Sequence, residues 1–462
     1  MRSLSIFGTS SDAGKSTIAF ALTYLLHKRG YKVAPFKAQN VSNNACVCDY
    51  GGEIAKPQHF CAEAINLPTR SDFNPVLLKS GRGSKAALIL NGVACREEDV
   101  HSYYENLDGL KPVVSQAYEN LLDTFECVVA EGAGSPVELN LMDKDLSNIY
   151  IAKKYHTKII LVADIERGGV FASIWGVYNL LPNELKENVI GVIVNKFRGD
   201  ISLFDEGVTI IEKQFGLSVL GVIPYRPFNL GFEDSQSLLN YTQYKKSPII
   251  KVGVISWPHL SNYNDIEPLI ADAEVELSFI TQPSQLTVCD VVILPGSKRT
   301  FDDLKWLKQG GFESALQEFN GLIVAICGGY EMLFDTLIDE DGVEVNRGET
   351  AYGLGIISDS IIFKTNKTVT KKSYNIFNLK LNGYEIHNGQ TRVFSYEDDC
   401  IYGTFVHGIF DNDNFREMIF RRVNSSYTGY DFMEYKRKSI AEFALHVDLN
   451  IDMSSIVKVL NE

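Results

Sequence analysis

The chain opens on a strand, a glycine-bearing loop and a helix in immediate succession: LSIF, then GTSSDAGKST, then IAFALTYLLHKRG. A short apolar run that feeds through glycines into a helix N-terminus commits this segment to an open α/β layout. The strand must sit in a parallel sheet for the loop to be presented at its edge. The rest of the first half follows the same rule. The apolar runs YKVAPF, ECVVAE, KIILVAD, VIGVIVN and VLGVIP alternate with helical stretches as far as Tyr225, which predicts a parallel sheet covered by helices on both faces. Strand ends followed by Gly, Asp or Asn mark its functional edge.

At 462 residues the chain is too long for one core and calls for two to three domains. The periodicity lapses into FEDSQSLLNYTQYKKSP between Leu230 and Pro248, a polar stretch that reads as the connection between domains. A second α/β unit follows: IIKVGVIS, VELSFI, DVVILPGS, a helix from Thr300 to Phe319, and the strand LIVAI. Residues 355–405 read mainly as strands and the C-terminal tail as helix. The expected divisions are 1–235, 248–445 and a tail of 446–462. The fold class is therefore α/β throughout, a phosphate-loop parallel-sheet domain followed by a second α/β domain.

Charge and composition exclude several functions. A net charge of −14 without a basic stripe argues against nucleic-acid binding. No apolar run reaches the roughly 18 residues of a membrane span, and Met1 leads directly into the first strand, so a cytoplasmic protein is expected. The eight cysteines are scattered and read as reduced thiols. Cys46, Cys48, Cys61 and His59 lack the paired spacing of a four-ligand zinc site. Nothing in the sequence sets the oligomeric state.

The N-terminal loop predicts a nucleotide site. Gly8, Thr9, Asp12, Ala13, Gly14, Lys15, Ser16 and Thr17 are its candidate contacts: loop amides and the helix N-terminus for the polyphosphate, Lys15 for its charge, Ser16 for Mg²⁺. Five residues separate Gly8 from Gly14, one more than the standard loop has. That spacing resembles the dethiobiotin synthetase branch of phosphate-loop enzymes, which activate carboxylates with ATP. Glu131 at the end of ECVVAE, Glu53 after DYGG and Asp164 at the end of KIILVAD are candidate oxygen donors to Mg²⁺, with Asp49 close to Glu53 in sequence. Lys37 in APFKAQN is placed to hold a transferring phosphoryl group, and Asn195 in VIVNKFRGD to read the base.

A different chemistry stands in the second half. Cys327 in LIVAICGGYEML occupies a sharp strand-to-helix turn, which predicts an exposed sulfur whose pKa the helix N-terminus lowers, a nucleophile elbow. His407 in GTFVHGIF is the best of eight histidines as its base. Amides at Gly296 in ILPGSK and at Gly328 are candidates for an oxyanion site. His387 in GYEIHNG is a lesser candidate. The strings PGS, ICGGYEML and VHGIF run in the chain order of a class I glutamine amidotransferase.

Along nearly its whole length the chain resembles the cobyric acid synthase family. The markers are GTSSDAGKST, PFKAQNVSNN, FNPVLLKS, VVAEGAGSPVELNL, VADIERGGVFA, VNKFRGD, LPGSKRTFDDLKWL, AICGGYEML, GYEIHNG and GTFVHGIF. The resemblance implies glutamine- and ATP-dependent amidation of the b, d, e and g side-chain carboxylates of (adenosyl)cobyrinic acid a,c-diamide in cobalamin biosynthesis. Glutamine and the corrinoid are then its small-molecule substrates, Cys327 the glutaminase nucleophile and His407 its base. Many class I amidotransferases carry a glutamate two residues past the histidine; here Ile409 stands there, so a two-residue site with slow glutaminase chemistry is expected. Glu331 replaces the family's usual glutamine, Phe73 a methionine, and Tyr50 stands where an acid is common. Two further readings fit the same layout: cobyrinic acid a,c-diamide synthase, and a phosphate-loop ATPase with a non-catalytic amidotransferase-like domain.

Overall fold

In the first half the six expected strands form one all-parallel sheet. Its order is Val219–Pro224, Val189–Phe197, Lys158–Asp164, Arg2–Gly8, Cys127–Glu131, Val33–Phe36. The computed structural model from which these strands are read describes residues 2–80, 85–228, 230–231 and 248–462. The expected connection therefore lies, from 232 to 247, outside the described residues.

Alternation along the strands decides which core each side chain enters. Leu4, Ile6, Ile160 and Val162 pack with helix Lys15–Lys28, whereas Phe7, Ile159, Leu161 and Ala163 pack with helix Val170–Leu180. Both faces are thus covered, and the strands read as nearly continuous apolar runs. Parallel register brings all carboxyl ends to one edge: Gly8, Lys37 just beyond Phe36, Glu131, Asp164 and Asn195.

The second half repeats the design. Strands Val275–Ile280, Ile250–Ile255, Val291–Leu294, Leu322–Ile326 and Ile401–Thr404 run parallel in that order, with Ser395–Glu397 antiparallel at the edge. A second sheet carries a long hairpin, Ile357–Ile376 with Leu379–Gln390. This hairpin reaches the first half. Its Tyr384 and Ile386 pack with Ala45, Cys46, Val47, Ala55, Leu77 and Ile89 in a small shared core.

Two features depart from the expected outline. Residues 39–99 hold a four-stranded sheet (Gln39–Val41, Val76–Ser80, Lys85–Leu90, Val93–Asp99) and the hairpin Ala45–Val47 with Glu53–Ala55. The boundary expected between 445 and 446 is corrected as well, because it falls inside helix Phe432–Asp448. That helix and Met453–Asn461 return to the first half, where Phe432, Phe443, Val447, Met453, Ile456 and Leu460 share a core with Leu4, Phe20 and Leu22. Asp452 N–H donates to the Leu220 carbonyl (2.6 Å) at the sheet edge. No described helix is long and apolar enough to cross a membrane.

Candidate functional site

The phosphate loop is held by its own polar groups. Gly14 caps helix Lys15–Lys28 with φ of 98°, a left-handed conformation that a side chain would strain, and a Cβ there would come 2.1 Å from Asn195 Nδ2. Asn195 donates to the Ala13 carbonyl (3.0 Å), and Lys196 Nζ to the Asp12 carbonyl (2.6 Å). The Asn195 amide thus fixes the loop in the position where base reading was expected. Lys15 Nζ curls onto the Ser10 carbonyl (3.1 Å), Thr17 Oγ1 donates to the Gly14 carbonyl (2.9 Å), and Thr9 N–H donates to the Val162 carbonyl (2.9 Å). Gly8 lies beneath Lys15, whose Nζ is 2.8 Å from where a Cβ would stand.

Beside the loop, donors to buried Glu131 include Ser16 Oγ (2.7 Å) and Lys37 Nζ (2.8 Å) on Oε1, and Gln58 Nε2 (3.1 Å) on Oε2. A hydroxyl and a carboxylate in contact are the hard oxygen donors that Mg²⁺ takes from a protein when phosphates supply the rest. These residues fit that ion. Among the described residues no cluster of three or more His, Cys, Asp or Glu side chains forms an all-protein cage. Glu53 sits elsewhere: Lys79 Nζ and Lys367 Nζ each lie 2.5 Å from one of its oxygens, so ammonium groups occupy the site where a metal was expected. Burial works against the Glu53 charge, but the two lysines overrule it and hold the carboxyl down at about 2. Asp164 pairs with Lys196 (3.0 Å), and Asp49 with Lys371 (2.7 Å).

The second site forms where the halves meet. Cys327 has φ 50° and ψ −111°, the strained turn expected of an elbow, at the start of the short helix Gly328–Glu331. Gly328 is needed by packing, since a Cβ there would stand 2.6 Å from Ser297 N. Gly296 lies on the other side, where a Cβ would reach within 3.1 Å of His407 Cε1. Cys327 and His407 line one cavity of about 40 Å³, together with Asn43 and Lys79 from the first half. That volume holds roughly two or three waters.

The expectation of an exposed, acidic sulfur is overturned. Cys327 is buried, and burial, followed by the charges of Glu331 and Asp265, raises its thiol well above the ordinary value; the Gly328 N–H pulls the other way too weakly. Sγ donates to the Ile386 carbonyl at 3.6 Å. Glu331 accepts from Thr300 Oγ1 (2.9 Å), and burial pushes its carboxyl up to about 8. His387 is engaged at both nitrogens, by the Gly389 carbonyl (2.7 Å) and Glu385 Oε2 (3.0 Å), and stacks on Phe405.

Sequence reasoning missed a carboxylate. Asp265 Oδ2 lies 2.7 Å from His407 Nδ1, and Oδ1 accepts from Gly408 N–H (2.7 Å), with both side chains buried. The expected two-residue arrangement therefore gains a third polar member, which comes from the turn after strand Ile250–Ile255 and not from position 409. The one sequence signal is positional and does not single out Asp265: NYND lies beyond the carboxyl end of a core strand, where open α/β sheets place their sites.

Comparison with known proteins decides the family. Residues 4–230 match the CobQ/CobB/MinD/ParA nucleotide binding domain, and residues 251–415 the CobB/CobQ-like glutamine amidotransferase domain. A cobyric acid synthase of Acinetobacter baylyi is 54% identical over 100% of both chains. The chain belongs to the cobyric acid synthase family. A relative of the same name from Chlorobium phaeobacteroides is 37% identical over 99% of this chain and 97% of its own. One solved glutamine amidotransferase covers 37% of this chain and 97% of its own, at 15% identity and a TM-score of 0.30. Within the family, the first half is a nucleotide-binding domain and the second a glutamine amidotransferase domain.

Proposed function

We propose that the protein uses ATP and glutamine to amidate the b, d, e and g side-chain carboxylates of (adenosyl)cobyrinic acid a,c-diamide, giving (adenosyl)cobyric acid. One observation carries this reading: a chain matched end to end by cobyric acid synthases brings a Cys327–His407 cavity and a Ser16–Lys37–Glu131 cluster into one molecule. A cytoplasmic setting, with no membrane or nucleic-acid partner, suits these substrates.

In the glutaminase half, His407 Nε2 takes the thiol proton as Cys327 Sγ attacks the glutamine amide carbon. Ammonia leaves with that proton, and water hydrolyses the thioester to glutamate. Asp265 holds the imidazole with Nδ1 protonated, which leaves Nε2 as the basic nitrogen for the thiol proton. Amides at Gly296 and Gly328 receive the developing oxyanion.

In the nucleotide half, the corrin carboxylate attacks the γ-phosphorus of ATP, and ADP leaves. Ammonia then attacks the acyl phosphate carbon and displaces phosphate. Lys15 and the loop amides bind the polyphosphate, and Lys37 neutralises charge on the phosphoryl group in flight. Ser16 and Glu131 would hold Mg²⁺, which supplies charge neutralisation on the phosphates.

Mass spectrometry of the a,c-diamide incubated with the protein, MgATP and glutamine tests the reading by counting carboxyl-to-amide conversions. Up to four are expected, one for each of the b, d, e and g positions named above. Cys327→Ala should abolish the glutamine-driven reaction and retain the reaction with high ammonium. Amidation of an acceptor that still carries free a and c carboxylates would instead favour the a,c-diamide synthase.

A further inference from the structure

Asn262 joins the two halves at the most sensitive atom of the glutaminase site. It is buried and held in the left-handed conformation at φ 51°. Its Oδ1 accepts the Ala45 N–H of the first half (3.3 Å), and its Nδ2 lies 3.1 Å from His407 Nε2. Which end of the amide faces which partner follows from chemistry. A backbone N–H only donates, so the oxygen must face Ala45 and the NH₂ must face His407. Nε2 is then an acceptor and Nδ1 carries the proton toward Asp265 Oδ2 (2.7 Å).

The imidazole is thus in the tautomer of a base, with its lone pair already taken by Asn262. The Cys327 thiol, for its part, is turned to the Ile386 carbonyl. The link continues into the nucleotide half. Ala45 pairs with Ala55 across a two-stranded hairpin; Ala55 N–H donates to Asn74 Oδ1 (3.2 Å); Asn74 Nδ2 donates to the Lys37 carbonyl (3.0 Å). Lys37 Nζ rests on Glu131. An unbroken set of buried contacts therefore runs from the phosphoryl-transfer cluster to the base.

We propose that Asn262 is a positioning residue that keeps His407 capped until the nucleotide and acceptor sites fill. A shift of strand Ala45–Val47 then withdraws the amide and frees Nε2 for the thiol proton. The inference rests on the proposed function, because it needs both half-reactions. Ammonia is lost to solvent if it is released before an acyl phosphate exists, so a latch on the base serves the coupled reaction.

The test measures glutamate release by the full chain, with and without MgATP plus the a,c-diamide. Asn262→Gly removes the amide and keeps the left-handed backbone. Glutaminase activity without ligands should rise roughly tenfold, within the usual span of coupling between sites, and the stimulation ratio should fall toward one. A merely structural residue would not give a gain. An unchanged ratio, or a lower activity in both states, overturns the proposal. Alkylation of Cys327 by iodoacetamide in the unsubstituted protein gives a second readout that does not depend on the variant's folding: the rate should rise when MgATP and the acceptor are added, and an unchanged rate counts against the latch. Ammonium-driven amidation in the same preparation reports on the proposed function itself, and its absence would sink that reading whatever the latch does.

Discussion

His407 is oriented by a residue that lies 142 positions earlier in the chain. Because Asp265 fixes the proton on Nδ1, Asp265→Asn is expected to favour the wrong tautomer. Glutamine-driven turnover should then fall by roughly 10² to 10⁴, as for an orienting carboxylate elsewhere, while ammonium-driven turnover persists; parallel assays with the two nitrogen donors check this. Glu331 supports a different prediction. Burial raises its carboxyl from 4.5 to about 8, so the folded chain keeps a proton that the unfolded chain releases. The stability contributed by this group is complete below about pH 4.5 and is lost as the pH climbs through about 8. Glu331→Gln, neutral at every pH, should melt like the parent near about pH 5 and higher than the parent near about pH 9. Equal shifts at both pH values would contradict the assignment. That Cys327 and His407 belong to one site was legible, because a turn motif and a glycine-flanked histidine are local patterns, and the two line one cavity. Asp265, Asn262 and Gln58 were not, since their roles arise only when distant loops meet.

Among the elements, core strands were readable and short ones were not. LSIF and KIILVAD carry enough apolar residues to declare a buried strand, and each occupies its place in the parallel sheet. QNV, ACV and EIA are three residues each; a run that short has no period, and its pairing is decided by neighbours. The hairpin Ile357–Ile376 with Leu379–Gln390 shows what such elements do. Its Lys367 joins Lys79 around Glu53, a carboxylate drawn down to about 2. That pairing contributes stability above the ordinary carboxylate pKa of 4.5 and loses it as the pH falls through about 2. Lys367→Met leaves the buried charge with one partner and should destabilise the protein by about 1–3 kcal/mol. Denaturant unfolding at neutral pH measures it, and a change below about 0.5 kcal/mol would show the pair to be energetically idle.

Across the whole molecule, the division of labour between two α/β halves followed from alternation and motifs. The return of the C-terminal helices did not, because an amphipathic helix announces that it will be buried without naming its partner. Phe443, Val447, Met453, Ile456 and Leu460 cover the same core as the strand bearing the phosphate loop. At about 1.5–3 kcal/mol per buried side chain, deleting residues 432–462 should remove on the order of 10 kcal/mol. The truncated chain is expected to lose its cooperative melt by circular dichroism; a retained transition near that of the full chain would show that the first half is self-sufficient.

Helix Met453–Asn461 shares its core with strand Arg2–Gly8, so two segments separated by most of the sequence are packing neighbours. At about 5–20 residues per second a ribosome takes roughly 25–90 s to travel between them. Throughout that interval the nascent nucleotide half has an open flank of bare hydrocarbon. That core closes only once helix Met453–Asn461 has cleared the ribosome and docked.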